Sequence, residues 1–302
     1  MLTKQGKIVI WLFLFTIVIT VAAVAYVLHV MDGYAAERPM AARHYSPSLP
    51  AEAVAFGEAE PALAMVGVNR ADIIDTGYMA LINHSHGISA DPNPALLSMA
   101  WPAVPVNVIE GTYLHNTALK AVEQLFYSAR QNGIYGLFVS SGFRGLELQR
   151  ELYAGGANSA FVMPPGHSEH HTGLAVDILA TGVAMADLGI SLQGRWLAEN
   201  SYRYGLILRY PQGAERVTGI QFEPWHFRYV GRPHAYYMFS NNLVLEEYIM
   251  LIQERQHFTI NLNGITYHVL HQRPQSDIID IPYGMEATIS SDNMGGYIIT
   301  AR

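Results

Sequence analysis

The chain has 302 residues, half of them apolar and 14% charged, with a net charge of −7 and no cysteine. That length and composition exclude a disordered polymer and admit one large domain, or a domain with a small appendage. The acidic balance gives no electrostatic reason to seek nucleic acid, and without cysteine there is no disulfide stapling, so any metal ligands must be histidine and carboxylate.

In chain order, the first element is the run 8–31, IVIWLFLFTIVITVAAVAYVLHVM, which holds no acidic residue, lysine or arginine. It is long enough to cross a hydrocarbon core of about 30 Å. Lys4 and Lys7 precede it and Asp32 follows, so the positive-inside rule predicts a cytoplasmic tail at 1–7, a transmembrane anchor at 8–31 and an extracytoplasmic remainder. A cleaved signal peptide is the alternative; its apolar run would be shorter and end in a small-x-small site, which is missing directly after this one. Setting the two lysines aside leaves 16 basic against 25 acidic residues, a net of −9 for the part beyond the membrane.

Residues 32–62 are rich in Ala, Pro, Ser and Glu without a sustained period, which predicts a stalk. A folded domain is expected over 63–257, opening with irregular strands and loops between Gly77 and Pro105. The spacing of Leu119, Val122, Leu125, Phe126 and Ala129 predicts a helix over 116–132, with Asn116 as its cap and Gly133 as its stop. A strand follows at 137–140, a helix after Gly145, and another over 196–204 closed by Gly205. LILRY and FEPWHFRYV are expected as strands and 233–255 as helical. From Phe258 the pattern alternates around an Asn-Gly and a Gly-Gly turn, predicting a small β-rich C-terminal extension at 258–302.

The stretch PPGHSEHHTGLAVDI, 164–178, concentrates three histidines, a glutamate and an aspartate. A catalytic zinc needs three protein ligands and an open fourth position, and His170, Asp177 and His226 of EPWHFRYVG could supply them. The spacing is not HExxH, so a one-helix site is excluded and the ligands must come from neighbouring strands. Singly, each residue is as readily a hydrogen-bonded surface or core group; together, SxHxxGxAxD and ExxH make a specific pattern.

The three blocks SSGFRGLELQ, PGHSEHHTGLAVDI and EPWHFRYVG resemble the VanY-like D-alanyl-D-alanine carboxypeptidases, zinc peptidases that share a fold group with lysostaphin-like enzymes and the sonic hedgehog signalling domain. The resemblance covers roughly 113–248. It implies an α+β fold, with a small antiparallel sheet carrying the zinc ligands and helices packed around it. By position it implies zinc ligands His170, Asp177 and His226, a general base Glu223, and Arg144 as the arginine that binds and polarises the substrate. It also implies Ser168 and Gln149 as polar groups that hold the substrate's terminal carboxylate. Arg144 could instead be a surface arginine at a helix start. Two adjacent histidines on a strand face opposite ways, so His171 is expected as a supporting or surface group, and His167 has no assigned role.

The implied function is removal of the terminal D-alanine from peptidoglycan stem peptides by metal-activated water, with one zinc per chain and the membrane reached through the anchor. Two alternatives stand beside it: an L,D-carboxypeptidase acting on tetrapeptide stems, and a non-catalytic wall-binding module stabilised by zinc. Retention of Glu223 and Arg144 argues against the module, since a structural zinc site needs neither.

Overall fold

The structure, a computed structural model, describes residues 55–57, 63–100, 107–108, 111–155 and 162–302. Among the described residues no helix is long and apolar enough to cross a membrane. The anchor expected at 8–31 lies outside them, as does most of the expected stalk.

Strands are numbered β1 (Ala55–Gly57), β2 (Met65–Asn69), β3 (Leu97–Met99), β4 (Asn107–Val108), β5 (Tyr113–His115), β6 (Leu137–Ser141), β7 (Ala175–Ala180), β8 (Leu206–Leu208) and β9 (His226–Tyr229). The C-terminal strands are β10 (His257–Leu262), β11 (Ile265–Gln272), β12 (Ile278–Pro282), β13 (Ala287–Ser291) and β14 (Tyr297–Ala301). Helices are α1 (Asn116–Gln131), α2 (Leu146–Ala154), α3 (Leu192–Asn200), α4 (Glu215–Thr218), α5 (Arg232–Asn241) and α6 (Leu245–Arg255).

One five-stranded sheet runs β4-β6-β7-β9-β8, parallel between β4 and β6 and antiparallel elsewhere, so it is mixed rather than wholly antiparallel. Its apolar face packs on α1: Leu125 and Phe126 of the helix meet Val139, Val176, Ile178 and Phe227 in one core. Side chains alternate along a strand, so Asp177, between Val176 and Ile178, points to the other face. Asp177 pairs across the ladder with His226, which brings the two side chains together.

Helix α1 ends at Gly133, which has φ +75° as expected, but starts differently. The cap is His115, whose Nδ1 accepts from the Thr117 N–H at 3.2 Å, while Asn116 bonds Ser98 and the Ala95 carbonyl. Strand β9 begins only at His226, and the helix expected over 233–255 breaks in two at Asn242, which takes φ +52°.

The second five-stranded sheet, β1-β10-β11-β14-β13, is antiparallel throughout and turns at Asn263-Gly264 with both residues at positive φ. Strand β1 lies within the span expected as stalk, yet pairs with β10. The inner face of this sheet, with Phe258, Ile260, Val269 and Ile298, shares a core with Tyr237, Tyr248, Ile249 and Ile252 of α5 and α6. The described residues thus belong to one compact unit that crosses the expected 257/258 boundary.

Candidate active site

His170 and His171 sit in a short 3-10 helix, Glu169–Thr172, and not on a strand. Gly173 ends that turn at φ +69°, where an added Cβ would lie 2.6 Å from Leu97 Cδ2. This left-handed step, open to glycine, swings the chain into β7 and toward Asp177.

One ligand atom from each of His170, Asp177 and His226 lies within 4.8 Å of the others. His170 donates its Nδ1–H to the Gly142 carbonyl at 2.7 Å, which leaves Nε2 facing Asp177 Oδ2 at 3.4 Å. His226 Nδ1 stands 3.0 Å from Asp177 Oδ1 and 3.8 Å from Glu223 Oε2. The three sequence-derived ligands and the expected base therefore converge.

Burial raises the Asp177 carboxyl, but His170 and His226 outweigh it and hold the group well below the usual carboxylate range. Burial lowers His226, yet the hydrogen bond to Asp177 and the neighbouring carboxylates of Glu169 and Glu223 push it up to about 10. His170, dominated by burial, is pushed down and stays neutral, the form a metal needs. Two imidazole nitrogens plus one carboxylate oxygen are a donor set that suits zinc.

Glu223 is buried, and desolvation raises its carboxyl to about 7 against the pull of His226. Arg144 lies within electrostatic reach of Asp177 and Glu223, its affinity for a proton lowered chiefly by burial. Its Nε is buried without a hydrogen bond, a charged donor left open. Its backbone is tied on both sides: Arg144 N–H donates to the His170 carbonyl at 3.2 Å, and His171 Nδ1–H donates to the Arg144 carbonyl at 2.6 Å.

His171 is fully buried and accepts from the Gly166 N–H at 3.0 Å, so it straps the loop before the 3-10 helix to the Arg144 turn. His167 donates Nδ1–H to the Asn83 carbonyl at 2.7 Å and stands outside the cluster. Ser168 is the residue before the 3-10 helix and makes no capping bond with its hydroxyl. Gln149 is buried, its amide N–H donating to the Met163 carbonyl at 2.6 Å while Oε1 has no partner.

Sequence reasoning missed a second layer. Glu169 Oε1 lies 2.8 Å from Arg209 Nε and 3.0 Å from Arg228 Nη1, and Arg209 is gripped by both oxygens of Glu246 at 2.6 and 2.9 Å. Glu169, Arg209 and Arg228 are almost wholly excluded from solvent. Burial raises Glu169, but the two guanidiniums hold it far below the usual carboxylate range. The available signal was an arginine inside each of two apolar strand sequences, LILRY and HFRYV.

A family model described as VanY, D-alanyl-D-alanine carboxypeptidase, matches residues 111–232. A D-alanyl-D-alanine carboxypeptidase of Enterococcus faecium is 33% identical over 189 residues, which are 62% of this chain and 61% of that relative. Among solved structures, a vancomycin resistance D,D-dipeptidase, VanXYg in complex with a D-Ala-D-Ala phosphinate analog, superposes with a TM-score of 0.67 at 25% identity. The match covers 80% of this chain and 99% of that one. The LdcB LD-carboxypeptidase gives a TM-score of 0.53 at 32% identity, over 58% of this chain and 86% of that one. The matched segment holds all three metal-ligand candidates, the base and the open arginine, and the chain belongs to the VanY family of D-alanyl-D-alanine carboxypeptidases.

Proposed function

We propose that the protein is a zinc-dependent D-alanyl-D-alanine carboxypeptidase that removes the terminal D-alanine from peptidoglycan stem peptides. The observation that carries the reading is the convergence of His170, Asp177 and His226 beside a buried Glu223 whose carboxyl rises to about 7.

Bound zinc supplies Lewis acidity, which activates water and polarises the scissile carbonyl. Glu223 suits the proton traffic: poised near neutrality, it takes a proton from the attacking water and returns it to the leaving D-alanine nitrogen. Arg144, with an open guanidinium nitrogen, offers preorganised positive charge to the carbonyl oxygen as negative charge develops. Ser168 borders the same turn, and a hydroxyl that makes no capping bond supports its reading as a partner for the substrate's carboxylate. Gln149 is the weaker member of that pair, since one amide N–H is committed to the Met163 carbonyl and the unpartnered Oε1 is an acceptor that cannot bond a carboxylate.

The same reading makes residues 8–31 a membrane anchor with 1–7 in the cytoplasm, so that the domain beyond works on wall outside the membrane. The sequence pattern of those residues supports it. Specificity for L,D tetrapeptide stems is the second reading, favoured by the likeness to the LdcB LD-carboxypeptidase.

The test is release of free D-alanine from a synthetic pentapeptide stem, with and without chelator, alongside Glu223→Gln. Chelator-sensitive release that falls about 10²–10⁴-fold in the variant is expected when a general base is lost. Cleavage of the tetrapeptide alone moves the reading to L,D specificity, and no cleavage of either stem by the zinc-loaded chain overturns both.

A further inference from the structure

If His226 ligates through Nδ1, the proton of its ring must sit on Nε2. That nitrogen is buried and makes no hydrogen bond. On the ladder side the ring is occupied by Asp177; on the other it faces Glu169 Oε2 at 3.5 Å, a buried oxygen that also lacks a hydrogen bond. Two unpaired buried polar atoms that face each other a few tenths of an ångström beyond bonding distance are each other's natural partners.

Glu169 is not free to turn elsewhere. Its other oxygen is fixed by Arg209 and Arg228. Arg209 is clamped by Glu246, and Arg228 Nη2 is spent on the carbonyls of Gly77, Tyr78 and Ala80 at 3.0, 3.3 and 3.1 Å. Two glutamates and two arginines cancel in charge, so the carboxylate reaches His226 without adding a net buried charge. A network serving only to hold elements together has no need to leave one oxygen open toward a ligand.

We infer that Glu169 is a positioning residue for His226, the outer carboxylate that fixes the Nε2–H tautomer and turns Nδ1 toward the metal. The inference rests on the zinc reading above and extends it to a group that does not touch substrate. It also carries the site beyond the stretch matched by the family model, because Glu246 of α6 holds the arginine that holds Glu169.

The experiment measures zinc affinity of the full-length chain by competition with a chromophoric chelator, in wild type, Glu169→Gln and Glu246→Gln. Both variants remove one charge from the same network, but the Glu246 carboxylate does not reach His226. Glu169→Gln is expected to lose 10–100-fold in zinc affinity, the usual effect of removing an outer partner of a ligand, and Glu246→Gln less than about threefold at an equal or larger drop in melting temperature. A loss in Glu169→Gln no greater than in Glu246→Gln overturns the inference. Should Glu169→Gln fail to fold, long-range 15N–1H NMR of wild-type zinc-loaded His226 decides: an Nε2–H proton shifted downfield and protected from exchange, as in a hydrogen bond to a carboxylate, supports the assignment, and an Nδ1–H tautomer or an Nε2–H without that shift overturns it. Failure of the wild type to bind zinc at all removes the metal reading itself, a result distinct from either.

Discussion

At the scale of single residues, the molecule separates groups that hold the centre from one that is left open. His170 and His171 each spend a ring N–H on a backbone carbonyl, of Gly142 and Arg144, so both rings are locked, one facing the candidate metal cluster and one as a strap. Arg144 keeps its Nε unspent inside the protein, a costly state that makes sense if a substrate completes it. Arg144→Lys retains the charge but loses the planar fork. We expect it to lower kcat/KM on a pentapeptide roughly a hundredfold, the effect of losing one preorganised donor, with zinc affinity unchanged. An equal loss of zinc affinity would mean that the arginine supports the metal loop instead. His170, Asp177, His226 and Glu223, which the structure gathers, were legible as a group because they lie in compact motifs. Glu169 was not, because a glutamate between a serine and a histidine looks solvated until Arg209 and Arg228, distant in the chain, are seen to cover it.

Among elements, the turn 169–173 decides whether the ligands meet. A strand would have sent His170 and His171 to opposite faces; the 3-10 turn instead directs both inward, each against a different backbone carbonyl. Local sequence does not announce this, since the turn is selected by its packing against the chain at Leu97 and His115. Gly173→Ala puts a Cβ into a left-handed residue and within 3.0 Å of the His115 nitrogen. The conformational cost alone is about 1–2 kcal/mol. A lowered urea midpoint together with weakened zinc binding is expected; an unchanged midpoint would show that the turn can relax around the methyl. Helix α1, by contrast, was legible to within a residue at its C-terminus, because its apolar stripe and its glycine stop are both local signals. Its start was displaced by one residue, as Asn116 is drawn to Ser98 and Ala95 and leaves the cap to His115.

For the whole molecule, the C-terminal strands were legible as strands but not as part of the main core, since nothing local says which surface Phe258, Ile260 and Ile298 will cover. His234 marks that junction: its ring shares hydrogen bonds with Tyr248 of α6 and Thr300 of β14, both at 2.8 Å. Burial pushes its pKa down to about 3. Above the ordinary histidine value near 6.5 the ring is neutral folded or unfolded, and the junction is at full strength. Below it the unfolded chain takes a proton that the folded chain refuses, so stability falls as pH drops from 6.5 toward 3, by about 2 kcal/mol between pH 6.5 and 5. His234→Gln should flatten that part of a urea-midpoint profile; a profile parallel to wild type would place the acid sensitivity elsewhere. Deleting 257–302 is expected to abolish cooperative thermal unfolding and zinc uptake together, whereas a truncated chain with an unchanged transition would make the sheet a dispensable addition. The shared core also bears on timing. A ribosome delivers His170, Asp177 and His226 well before Phe258 and Ile298, so the nascent chain holds all three candidate ligands while the helix that steadies Arg209 still lacks the strands it packs on. Maturation is therefore expected to wait for the last strand, so that a chain cut short in synthesis ends without a finished metal cluster.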